Sequence, residues 1–194
     1  MTPKDLEYEA LRREIEKLSE FEHSLYNILY VGVTAILAWS INTNKAFVCL
    51  LAYCIIFPSF YVMLSYNAGI FRIGAYIYVY YDEYFWEKRL HEINTNEKYH
   101  KQRYALSYRT PFIFVSIMST ILSVIITIQT YAINSIEYIV IIMLSFLLLL
   151  SFMLFVFLQK SNDEIKQVYI TAFRKMKNNE SIQKYCKKNI CHKN

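Results

Sequence analysis

Four stretches of this chain, residues 24–41, 46–66, 111–133 and 138–158, contain 18, 21, 23 and 21 residues and not one Asp, Glu, Lys, Arg or His. A bilayer's hydrocarbon core is about 30 Å thick, and a helix needs roughly 17–25 mostly apolar residues to cross it. A buried helix of a small soluble protein keeps a polar stripe, and 194 residues leave no room to bury four helices that are apolar all round. The pattern predicts an all-α integral membrane protein with four transmembrane helices, arranged as two hairpins with helical additions outside the bilayer.

The charges between the runs predict an orientation. Of 21 Lys and Arg, 20 fall before the first run, between the second and third, or after the fourth. Lys45 alone sits on the opposite side. Basic residues are retained in the cytoplasm, so both termini and the 67–110 loop are expected there, in a multi-pass protein of a bacterial inner (plasma) membrane. The outer turns are about four residues each, too short to form a domain. No cleavable leader is read at the N-terminus, and the first run is expected to act as its own signal anchor. The layout becomes a cytoplasmic helix at 1–23, a hairpin at 24–66, an aromatic and basic loop at 67–110, a second hairpin at 111–158 and a basic tail at 159–194.

Leading into the first span, Leu11, Ile15, Leu18, Glu22 and Leu25 trace one helical face, apolar except at Glu22. That face is expected to pack on another cytoplasmic segment and is read as an oligomer contact, with packing inside one subunit as the alternative. Pro58 is expected to kink span two by removing a backbone donor. The segment after it is rich in Tyr76, Tyr78, Tyr80, Tyr81, Tyr84, Phe85 and Trp86. Such rings suit the headgroup region, where an apolar body and a polar tip are both satisfied, although they can also stack nucleobases.

Span three carries Ser116, Thr120, Ser123, Thr127 and Thr130. Steps of four and three residues put all five on one face. Such a stripe serves close helix packing, or it lines a water-filled pore when subunits gather about an axis. Span four is nearly all Ile, Leu, Met, Phe and Val and is expected to face lipid.

No catalytic constellation is visible, so no enzymatic activity is expected. The four His residues lie outside the spans without metalloprotease spacing, and three Gly leave no phosphate-binding loop. The absence of charge within the spans argues against proton-coupled transport. Cys49 and Cys54 lie in span two. Cys186 and Cys191, with His192, lack a fourth ligand at zinc-site spacing, so neither a metal nor another cofactor is expected.

The stretches YEALRRE at 8–14, LSYN at 64–67 and FRIGAYI at 71–77, with Trp86-Glu87, resemble a group of small bacterial membrane proteins over residues 6–92. The layout is similar to the SLATT-type antiphage effectors, which sit beside nucleotide-synthesising enzymes and are thought to open the membrane when signalled. One such type is the Hailong-type channel, controlled by a short DNA oligomer. The second pair of spans departs from their two-span pattern. The resemblance implies a homo-oligomeric, ligand-controlled membrane effector, with the enzyme encoded nearby as its partner. On that reading the span-three hydroxyls line a pore. Arg72, Lys88, Arg89, Arg103 and Arg109 bind an anionic nucleotide or oligonucleotide. The alternative is a non-conducting membrane scaffold or accessory subunit that recruits a cytoplasmic protein.

Overall fold

The computed structural model of the chain describes residues 3–81, 109–131, 135–159 and 162–191. About 94% of these residues are helical and none is in a strand. The helices are α1 (Pro3–Thr43), α2 (Ala46–Leu50), α3 (Tyr53–Tyr80), α4 (Thr110–Thr130), α5 (Ile136–Leu158) and α6 (Asn162–Cys191). Four stretches are long and apolar enough to span a membrane: α1, α2 with α3, α4 and α5. The chain divides into two compact units, a polar one formed by Met1–Ser19, Tyr66–His100 and Lys160–Asn194, and an apolar one formed by Glu20–Ser65 and Lys101–Gln159.

In the apolar unit, α1 ends in a Schellman turn. Asn44 adopts φ 52°, a left-handed conformation that Asn tolerates better than most side chains. Lys45 N–H then reaches Ser40 O at 3.2 Å, and Asn44 N–H reaches Ile41 O at 3.3 Å. Ser40 Oγ donates to Lys45 O at 2.8 Å, which fixes the turn from within.

Span two is not one helix. After α2 the chain makes tightened i→i−3 hydrogen bonds, Leu51 to Val48, Ala52 to Cys49, Cys54 to Leu51 and Ile55 to Ala52, before α3 takes over. The interruption lies at Leu51–Ala52, whereas α3 runs through Pro58. The interruption thus falls nearer the α1–α2 turn, in a stretch with no Gly or Pro.

The apolar core of this unit joins Leu29 and Val33 of α1, Ile56, Phe60 and Met63 of α3, Phe112 and Val115 of α4, and Phe152 and Val156 of α5. Phe60 packs edge-on against Phe112 and Phe152, with ring centroids 5.2 and 5.5 Å apart. Such contacts add about 0.5–1.5 kcal/mol beyond area burial. Ser135 caps α5 by accepting the Tyr138 N–H at 3.1 Å, and Glu137 adds negative charge to its first turn.

In the polar unit, Leu11, Ile15 and Leu18 of α1 pack on Ile73, Ile77 and Tyr81. The apolar face read as an oligomer contact is thus covered within the chain, because α3 continues far enough to supply a matching face. Ala75 and Val79 pack on Ile170, with Tyr169 and Phe173 beside them. The tail is largely helix, and residues 169, 170 and 173 are at helical spacing.

Candidate functional site

The hydroxyl stripe of α4 faces inward. Ser116, Ser123 and Thr127 are fully buried, Thr120 is nearly so, and Thr130 at the helix end is exposed. Three of these side chains bond back to their own helix, Ser116 Oγ to Phe112 O (2.7 Å), Thr120 Oγ1 to Ser116 O (3.0 Å) and Thr127 Oγ1 to Ser123 O (2.7 Å). Back-bonding of this kind hides a hydroxyl in an apolar setting by giving its proton to the i−4 carbonyl.

The remaining bonds cross between helices. Tyr53 OH lies 2.8 Å from Thr120 Oγ1 and 3.1 Å from Ser116 O. Tyr53 and Thr120 thus share the Ser116 carbonyl as acceptor, and either hydroxyl can donate to the other. Ser145 of α5 donates to Ile141 O at 2.7 Å, so Ser123 donates across the 3.0 Å gap to Ser145. Ser123 Oγ also lies 3.4 Å from Ala46 O, and Thr130 Oγ1 lies 3.4 Å from Asn44 O.

These contacts coincide with the interrupted span. Non-helical backbone inside a bilayer is tolerated only where protein or water satisfies the freed groups, each of which otherwise costs several kcal/mol. Tyr53, the first residue of α3, anchors the restarted helix to α4, while Thr130 of α4 reaches the Asn44 carbonyl. Ser and Thr are small enough to bring the helices this close and polar enough to bond once there. Ser119 Oγ is buried with no hydrogen-bond partner among the described residues.

The basic candidates are not gathered into one place. Arg72 is exposed on α3 in the polar unit. Arg109 belongs to the apolar unit, where its guanidinium donates to Val156 O and Gln159 O, both at 3.4 Å. It caps the C-terminal carbonyls of α5, where the helix dipole favours a cation. Lys88, Arg89 and Arg103 lie outside the described residues.

The polar unit holds an aromatic cluster whose packing the sequence reading missed. Tyr76 stacks on Tyr80 at 4.7 Å and meets Phe173 edge-on at 5.5 Å, and Tyr8 tilts against Tyr81 at 5.7 Å. Four rings expected as headgroup anchors, Tyr76, Tyr78, Tyr80 and Tyr81, are thus part of protein packing, while Tyr84, Phe85 and Trp86 lie outside the described residues. The signal was present in the i, i+4 pairs Ile73/Ile77 and Ala75/Val79, which mark two apolar helical faces among the tyrosines. Arg174 sits 5.7 Å over the Tyr78 ring and Lys177 5.8 Å over Tyr80. Lys177 Nζ also donates to Val79 O in the last turn of α3.

Two carboxyls outside the spans have displaced acidities. Hydroxyls of Tyr81 and Tyr76 hold Glu7 below the usual carboxylate range, and the Tyr76 OH to Glu7 Oε1 bond is 2.9 Å. Burial pushes Glu22 upward, against the opposing effects of His23 and a hydrogen bond with Tyr26. Among the described residues no three His, Cys, Asp or Glu side chains are grouped as metal ligands. His192 lies outside them. What the arrangement offers chemically is hydrogen bonding that holds a broken span together, and cations placed on aromatic rings and helix ends.

Comparison with protein-family models, with characterised proteins and with solved structures finds no match to this chain.

Proposed function

We propose that the protein is a homo-oligomeric, ligand-controlled effector of the bacterial inner (plasma) membrane, with both termini cytoplasmic, which opens or perturbs the bilayer on an anionic nucleotide or oligonucleotide signal. One observation carries this reading. Helices α1 and α3 each run unbroken from the apolar unit into the polar one, so a ligand that shifts the polar unit acts directly on two spans. The distribution of Lys and Arg supports the orientation. Antiphage defence, and a nearby nucleotide-synthesising enzyme as the signal's source, rest on the resemblance over residues 6–92.

The hydroxyl path has a condition attached. Ser116, Thr120, Ser123 and Thr127 are packed inside the chain's own bundle, so they line a conduit only when α4 parts from α2, α3 and α5. The interrupted span two is the natural place for that opening, since its bonds to α4 are few and separable.

The same burial favours a second reading, a non-conducting scaffold or accessory subunit that recruits a soluble partner through the polar unit. Membrane potential separates the two. With the full chain induced in bacteria and followed by a voltage-sensitive dye, the effector reading expects depolarisation, enhanced by co-expression of a nucleotide-synthesising enzyme. A steady potential under both conditions, with a soluble protein co-purifying, overturns conduction in favour of the scaffold.

A further inference from the structure

Ser119 is the exception on its helix. Ser116 and Thr127 of α4, and Ser145 of α5, each return a hydroxyl proton to the carbonyl four residues back. Ser119 makes no such bond, and no other among the described residues, although it is fully buried. A buried hydroxyl without a partner forfeits its hydration and gains nothing in exchange, and folded chains rarely leave one so. The bond back to its own helix is open to any serine within a helix. Ser119 does not take it, so its proton is directed at something else.

One turn further along α4, the oxygens around Ser123 are short of a proton. Ser145 Oγ meets Ile141 O at 2.7 Å, Ser123 Oγ meets Ser145 Oγ at 3.0 Å, and Ser123 Oγ meets Ala46 O at 3.4 Å. Those are three contacts between oxygens, and the two serine hydroxyls have one proton each to place in them. With the two shorter contacts served, the longest sets lone pairs of Ser123 Oγ against those of Ala46 O. This shortage owes nothing to Ser119, and it calls for a donor beside the same helix turn.

The two needs are complementary. Ser119 and Ser123 are four residues apart, so they share a helical face with Cβ atoms about 5–6 Å apart. One water molecule, with hydrogen bonds of about 2.8 Å on either side, spans such a gap. It accepts the Ser119 proton and gives its own two to Ser123 Oγ and Ala46 O. The water then makes three bonds, the usual number for a buried one. The opposing surface is made of small groups, since α2 brings Ala46 and Cys49 to this core, both fully buried. A cation does not fit, because it cannot accept the Ser119 proton, and the four apolar runs hold no Asp or Glu to balance its charge.

We propose that a structural water is bound by Ser119, Ser123 and the Ala46 carbonyl, and that it joins α4 to the first part of the interrupted span. The contact between α2 and α4 at this level runs through water rather than through a direct bond from Ser123 to Ala46. The site belongs to the closed bundle and stands apart from the effector reading.

The full chain in detergent micelles tests it, with water itself as the probe. Water-to-amide cross-relaxation, read by NMR, is expected at Ser119 and Ser123 in the parent protein and is expected to be lost at Ser123 in S119A. Signal at Ser123 that survives S119A unchanged comes through the residue's own exchanging hydroxyl and overturns the proposal. So does the lack of signal in both proteins. Stability gives a second readout. With the water in place, S119A lowers the unfolding midpoint. The S119A/S123A double variant then loses clearly less than the two singles together, because either substitution already releases the bridge. A midpoint raised by S119A shows a dry hydroxyl without a partner, and strict additivity shows that Ser119 bonds to its own helix. Either result overturns the bridge.

Discussion

Ser123 on α4 and Ser145 on α5 face each other with 3.0 Å between their oxygens, and they are the only hydroxyl pair the described residues place between those two helices. Ser145 has already given its proton to Ile141 O, so the pair has one direction, from Ser123 to Ser145. Hydrogen bonds between membrane helices contribute about 0.6 kcal/mol on average. The S145A and S123A variants are each expected to lose about 1 kcal/mol, because each leaves a buried partner under-bonded. The double variant should lose clearly less than the two singles together. Reversible unfolding in mixed detergent micelles measures all three. Strict additivity would show that the two oxygens are not coupled.

The two displaced carboxyls give pH effects of opposite sign. The Glu7 carboxyl is depressed in the folded chain by Tyr81 and Tyr76, so its stabilisation is present above the unfolded value of about 4.3 and is lost as pH falls through the folded value. Replacement by Ala should therefore lower the thermal midpoint at neutral pH and leave it unchanged in strong acid. Burial raises Glu22, so its ionised form opposes folding at neutral pH and the penalty fades on acidification. E22Q is expected to raise the neutral midpoint and to converge with the parent chain at low pH. Midpoints recorded for both variants across the acid range check the signs.

Glycine replacement should divide by position. A Cβ at Gly74 meets nothing within 4 Å, so G74A gains helix propensity and is expected to stabilise by about 1 kcal/mol. A Cβ at Gly32 falls 2.9 Å from Ile55 Cδ1, and the Ile side chain must move to admit it. G32A is expected to cost about 1 kcal/mol. Unfolding midpoints in the same micelles rank the two against the parent.

Arg109 offers a test of structural against ligand-binding use. Its bonds to Val156 O and Gln159 O close the end of α5, and losing a partly buried cation there should cost about 1 kcal/mol. R109Q is therefore expected to lower stability without any nucleotide present. If R109Q leaves the unligated midpoint unchanged, the cap contributes nothing and the residue is free for another role.

The spans were legible because hydrocarbon thickness sets a length and forbids charge, which leaves a pattern visible without knowing any contact. The face shared by Ser116, Thr120, Ser123 and Thr127 was equally legible from helical periodicity, whereas its partners were not. Whether a hydroxyl meets Tyr53 or a neighbouring subunit depends on how helices are arranged, and periodicity within one helix carries no such information. The interruption at Leu51–Ala52 was hidden for a related reason. Leu-Leu-Ala-Tyr contains no breaker, and the Tyr53 hydroxyl that ties the restarted helix down finds Ser116 O and Thr120 Oγ1 63 and 67 residues further on. The helical tail was missed because its apolar residues are few, and Tyr169, Ile170 and Phe173 acquire meaning only against α3.

Synthesis proceeds from the N-terminus, and the break in span two leaves the nascent chain with a debt of timing. Tyr53, at the restart of the span, emerges well before Thr120 and the Ser116 carbonyl, the groups that later engage its hydroxyl. The first hairpin therefore completes these bonds only when α4 arrives. The first half of the protein thus finds the partner of its most deeply placed hydroxyl only in the second.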